Sequence, residues 1–166
     1  MRKFLKTLFQ IEEKGHFVLF EKDMKKQDLF PKVDLVIALG SSSGTQKFYS
    51  KEIKILKEVA SAAKSLIDDK ISKKILFSGG KKINQHSEWK IMHDWVYPTK
   101  KLNLNITFSN GKLIKEKGEK ALQTIKRRKL ASTIIVCSDR DSASVFGRIL
   151  QRGGIEVSCI ALIKIK

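Results

Sequence analysis

Past Pro31 the chain alternates between two patterns. Short, continuous apolar runs end in small polar residues, and longer stretches with apolar positions three and four apart follow them. The first run, Leu35-Val36-Ile37-Ala38-Leu39 after Asp34, is closed by Gly40. A run that is apolar at every position has no wet face, which is the pattern of a strand buried on both sides, as in a parallel sheet. Residues 51–67 then form a predicted helix, with Ser50 as its N-cap and Ile53, Leu56, Val59, Ala60, Ala63 and Ile67 on one face. Residues 74–77 make a second strand ended by Ser78-Gly79-Gly80, and residues 87–95 a second helix. A weaker strand spans 104–108. Residues 112–129 form a charged helix with Leu113, Leu122 and Ile125 turned inward. The β-branched run 133–137 is a fourth strand, Ser138 or Asp139 caps a helix reaching Gln151, and Gly153-Gly154 terminates it. Residues 155–163 complete the series as a last strand. Upstream of Pro31, Phe17-Val18-Leu19-Phe20 reads equally as a short strand or a buried helical turn.

Strand–helix alternation of this kind predicts an α/β fold: a Rossmann-like, doubly wound, mainly parallel sheet of about five strands with helices on both faces. Residues 1–32 read as an N-terminal extension packing on a core domain of residues 33–166. There is no internal repeat.

A chain of 166 residues, 42% of them hydrophobic, is long enough to build one core without disulfides or metal. Cys137 and Cys159 each lie inside an apolar run, as buried thiols of a reducing compartment do. No apolar stretch approaches the ~20 residues that span a bilayer. The basic start lacks the apolar core and cleavage site of a signal peptide. The expectation is a cytoplasmic protein with no membrane span. Charge complicates this picture: Lys plus Arg is 34 against 17 for Asp plus Glu, a formal net +17. Arg, the residue suited to bidentate phosphate recognition, stands only at positions 2, 127, 128, 140, 148 and 152. The excess therefore has two readings, a nucleic-acid binder or a lysine-rich background.

In open α/β sheets ligands bind beyond the carboxyl ends of the strands, where strand order reverses. The loops at those ends are Gly40-Ser41-Ser42-Ser43-Gly44-Thr45, Ser78-Gly79-Gly80-Lys81-Lys82 and Ser138-Asp139-Arg140-Asp141-Ser142. All are small and polar, as a close backbone approach to an anion requires. Arg140 opposes the dipole at a helix start, which fits either anion binding or an ion pair with Asp139 or Asp141. Known nucleotide motifs fit poorly. Gly44-Thr45-Gln46 lacks the lysine of a P-loop. The strand after the first loop ends in Ser78 rather than an acidic residue, which disfavours NAD. A serine nucleophile would need His16, His86 or His93, none at an obvious strand end. His86, Glu88, His93 and Asp94 do not have metal-motif spacing, so no metal is expected. The run Lys126-Arg127-Arg128-Lys129 is the densest basic stretch, but cations also suit a helix carboxyl end, and no aromatic residue interleaves with it.

In this order the loops resemble the YdcF/SanA/ElyC-like family, also called domain of unknown function 218. The matching pieces are residues 34–40, Phe77-Ser78-Gly79-Gly80, Ser87-Glu88, Glu119 with Ala121, residues 134–138 and Gly153-Gly154-Ile155-Glu156-Val157. The resemblance spans about residues 34–163 and implies a Rossmann-like fold with a nucleotide-like ligand, and it adds Glu88 and Glu119 to the ligand-binding set. The chain departs from the family pattern at Lys117 and Lys120, which stand where relatives carry Thr and Asn. No His follows Cys137-Ser138-Asp139-Arg140, and Lys47 or Lys51 replaces an expected Arg. The resulting expectation is a binder of a small anionic, nucleotide-like or phosphorylated ligand at Gly40, Ser41, Ser42, Ser43, Gly44, Ser78, Gly79, Gly80, Glu88, Glu119, Ser138, Asp139 and Arg140, with no reaction specified. The alternative is a basic nucleic-acid-binding or adaptor protein without catalysis.

Overall fold

The computed structural model describes residues 30–41, 49–99 and 103–164, together with the backbone of two short upstream strands, β1 (Leu8–Phe9) and β2 (Phe17–Val18). Five longer strands form the centre: β3 (Leu35–Leu39), β4 (Ile75–Ser78), β7 (Ile106–Ser109), β8 (Ser132–Cys137) and β9 (Glu156–Lys164). They are joined by helices α1 (Tyr49–Asp68), α2 (Glu88–Val96), α3 (Ile114–Arg127) and α4 (Arg140–Arg152). A two-residue hairpin, β5 (Lys82–Ile83) with β6 (His86–Ser87), precedes α2.

The central strands run in the order β9-β8-β3-β4-β7, all parallel. The fold is thus α/β, Rossmann-like and doubly wound. Strand order reverses between β3 and β8, because the chain builds outward from β3 first through β4 and β7, then through β8 and β9. On its outer side β9 pairs with β1 antiparallel at Phe9↔Ile163 and with β2 parallel at Phe17↔Ile160. That covers an edge that would otherwise carry unpaired backbone groups. Of the two readings for residues 17–20, Phe17 and Val18 are strand; Leu19 and Phe20 lie outside the described residues.

The strands are apolar at every position because two cores need them. Val36, Ala38, Phe77, Ile134 and Val136 face α1 and α2. Leu35, Ile37, Leu39, Leu76, Ile135 and Cys137 face the opposite way, with Ala121 and Ile125 of α3 and Phe146 and Leu150 of α4. Among the described residues no helix is long and apolar enough to cross a membrane.

The structure departs from the pattern reading in four places. The strand expected over 104–108 spans Ile106–Ser109, because Leu104 and Asn105 form the turn before it and Leu104 is exposed. The first helix begins at Tyr49, so Ser50 lies inside its first turn instead of capping it. Leu113, expected inward, is the extended N-cap of α3 and 66% exposed. The inward stripe is Lys117, Gly118, Ala121 and Ile125, because α3 packs closely on α4 at Gly118, where a Cβ would lie 2.7 Å from Ile149 Cδ1. The hairpin β5–β6 has no counterpart in the pattern, since its turn, Asn84-Gln85, holds positive φ (49° and 70°) without a glycine.

Candidate functional site

The carboxyl ends of β3 and β8 part at the reversal of strand order. Gly40 and Ser41 continue β3 there, and Ser138 and Asp139 continue β8. The Ser41 and Ser138 hydroxyls meet at 3.1 Å across the gap. Asp139 caps α4, its carboxylate accepting from the Asp141 N–H at 3.3 Å and the Ser142 hydroxyl at 2.5 Å. Arg140, the first residue of α4, is exposed beside it. Beneath the pair, the Cys137 thiol donates to the Asp139 carbonyl at 3.3 Å. Burial pushes that thiol up to about 11, only partly offset by hydrogen bonds from Asp139 and Ser41, so it stays a neutral donor at physiological pH.

On the other side of β3, two helices from opposite faces of the sheet meet over the strand ends. The hairpin β5–β6 turns the chain back so that the Glu88 N–H donates to the Lys81 carbonyl at 3.0 Å and the Trp89 N–H to the Gly79 carbonyl at 2.9 Å. This places the Glu88 carboxylate, wholly buried, above the ends of β3 and β4. Lys117 reaches it from α3: its Nζ stands 2.9 Å from Glu88 Oε1 and donates to the Gly40 carbonyl at 2.6 Å. The Lys81 N–H donates to Glu88 Oε1 at 3.2 Å. A Cβ on Gly40 would lie 2.9 Å from Glu88 Oε2, and one on Gly79, whose φ is +142°, 2.7 Å from Oε1. These two glycines therefore admit the carboxylate of the protein's own Glu88. The β7 end is knitted in by backbone, with the Gly80 N–H donating to the Gly111 carbonyl at 2.7 Å.

Gly40, Ser41, Ser78, Gly79, Gly80, Glu88, Ser138, Asp139 and Arg140 thus share one edge of the sheet. Ser42, Ser43 and Gly44 lie outside the described residues. Glu119 is exposed on α3, two residues after Lys117. Ser78 and Ser109, paired in register, bury their hydroxyls without a hydrogen-bond partner. Sequence reasoning marked Lys117 only as a family departure. Its position on one helical stripe with Ala121 and Ile125 was the available sign that it faces inward. His86 is exposed in the hairpin, and His93 packs edge-on against Phe77 and Phe108 while contacting Asp94 at 2.9 Å. Among the described residues no group of His, Cys, Asp and Glu is arranged to hold a metal ion. The chain matches no protein-family model, no curated protein and no solved structure.

Proposed function

We propose that this protein, a divergent relative of the YdcF/SanA/ElyC-like family, binds a small anionic ligand, nucleotide-like or phosphorylated, at the reversal point between β3 and β8. The observation that carries the reading is the meeting of the Ser41 and Ser138 hydroxyls at 3.1 Å, two loops from adjacent strands converging where α/β sheets take their ligands. The hydroxyl pair forms a polar floor. The amino end of α4 adds backbone donors and a partial positive charge, and Arg140 a full one. Ser42, Ser43 and Gly44, which follow Ser41 in the sequence, belong to the proposed ligand-binding set. Gly40, Gly79, Glu88 and Lys117 pack beside the hydroxyl pair, with Lys117 holding the Gly40 carbonyl next to Ser41. A reducing, cytoplasmic setting fits the two buried free thiols.

Thermal-shift screening of nucleotides and phosphorylated metabolites tests this. At a hundredfold excess over Kd, a ligand specific for the folded state stabilises by about 2.7 kcal/mol, or roughly 5–10 °C for a domain of this size. Ser138→Ala and Arg140→Ala should each reduce that shift; the exposed Arg140→Ala should leave the melting temperature of the free protein within about 2 °C, and Ser138→Ala, which loses the hydrogen bond to Ser41, should lower it by no more than about 5 °C. No shift with any phosphorylated probe, or a shift indifferent to both substitutions, would overturn the reading.

A further inference from the structure

The opposite edge of the sheet gathers charge that is scattered in the sequence. Lys32 leads into β3, Lys73 and Lys74 lead into β4, and Lys70 sits in the turn after α1. An open cavity of about 770 Å³ lies among these four lysines, with an apolar floor that includes Ile67 and Ile71 and with Asp34, Asn105 and Leu130 also on its wall. Leu130 follows directly on the exposed Arg127, Arg128 and Lys129, and the Arg128 guanidinium donates to the Leu104 carbonyl at 2.8 Å, next to Asn105. Backbone bonds hold the wall together, with the Val33 N–H on the Ile71 carbonyl and the Val36 N–H on the Lys74 carbonyl, both at 3.0 Å. Acidic residues stand on this edge too, Asp34, Asp68, Asp69 beside Lys70 and Glu156 at the start of β9 among them. Asp34 accepts from the Ala131 N–H at 2.8 Å and Asp68 pairs with Lys64 at 2.9 Å.

We infer that this amino-terminal edge is a surface for the phosphodiester backbone of duplex nucleic acid, separate from the ligand site at the carboxyl edge. Cations at helix carboxyl ends complement the macrodipole, which accounts for Arg127 without any nucleic acid. It does not account for Lys32, Lys73 and Lys74, which precede strands. Lysines are point charges that neutralise phosphates without reading bases, so the binding is sequence-independent and steeply salt-dependent. None of the described cavity walls is aromatic, which argues against stacked single-stranded bases. The surface is concave, so a ridge of phosphates enters it where a flat bilayer does not.

Fluorescence anisotropy of the full chain with a labelled mixed-sequence duplex of about 20 base pairs, at about 50–200 mM salt, tests the inference. The quadruple variant Lys70→Gln, Lys73→Gln, Arg127→Gln, Lys129→Gln should weaken binding at least ~10-fold at the lowest salt. It should also flatten the salt dependence by about one unit of slope for each phosphate that is no longer neutralised. A control with the same charge change elsewhere, Lys54→Gln, Lys112→Gln, Lys115→Gln, Lys120→Gln, should weaken it less than ~3-fold. All eight side chains are exposed, so circular dichroism should show both variants folded. Equal losses in the two variants, no duplex binding at low salt, or binding to phosphatidylserine vesicles in preference to duplex would overturn the inference. None of these outcomes depends on the thermal-shift result at the carboxyl edge.

Discussion

Glu88 and Lys117 are the residues on which the carboxyl edge rests. Both are buried, 0% and 3% exposed, and they are 29 positions apart in sequence. A buried pair of this kind adds little over a well-packed apolar pair, but removing one partner costs about 3–5 kcal/mol, since the remaining charge loses its counter-ion in a medium of low dielectric. Lys117→Met should therefore destabilise by about that amount in denaturant unfolding, and Glu88→Gln together with Lys117→Met should recover more than half of it. A loss under about 1 kcal/mol in the single variant would show that the pair is not what holds the strand ends together. Gly40 and Gly79 announce in the sequence that something must approach the backbone closely. What approaches is Glu88, and that was not legible. The pairing joins two helices from opposite faces of the sheet, and no local pattern connects positions 88 and 117. Ser41 and Ser138 were legible as loop residues, and their meeting follows only once β3 and β8 are neighbours.

At the scale of elements, the strands buried on both faces were the clearest part of the chain, because two cores demand apolar residues at consecutive positions. β3, β4 and β8 stand within a residue or so of the pattern reading. Helix starts were less clear. α3 begins later than its apolar residues imply, with Leu113 left outside as cap. The hairpin before α2 escaped entirely. Two-residue hairpin turns of positive φ are recognised by Asn-Gly or Asp-Gly, and here Asn84-Gln85 takes that shape. A Gln at φ 70° bears strain that a glycine does not, on the order of 1 kcal/mol. Gln85→Gly should raise the unfolding free energy by about 0.5–1 kcal/mol, read from the denaturation midpoint at unchanged slope. A fall instead would mean that the Gln85 side chain supports the hairpin, and with it the placement of Glu88.

For the whole molecule, the sheet separates two cores and two edges, and each has a measurable consequence. The net charge of +17 was visible as a total, whereas the approach of Lys32, Lys70, Lys73 and Lys74 to Leu130 and the cations before it required the turns after α1 and after α3, far apart in the chain, to become neighbours. The two cores each bury one thiol, Cys137 on the α3–α4 face and Cys159 on the α1–α2 face. Burial raises both above the ordinary 9.0, to about 11 and about 12. A raised thiol pKa means that the folded protein keeps protons which the unfolded chain has already lost. Stability must then fall as pH rises above 9, and it continues to fall until the folded values are passed. Each thiol contributes up to about 1.4 kcal/mol per pH unit across that window. Lysines begin to lose charge in the same range, and relief of their mutual repulsion acts in the opposite direction. The comparison that isolates the thiols is the native chain against Cys137→Ala, Cys159→Ala, each unfolded in urea at about pH 8.5 and about pH 10.5. The double variant starts lower, because two buried side chains are shortened, but its stability should decline by less over the two pH units. Parallel declines in the two proteins would show that the thiols ionise in the fold as readily as in the unfolded chain, and that neither core is as dry as its packing implies.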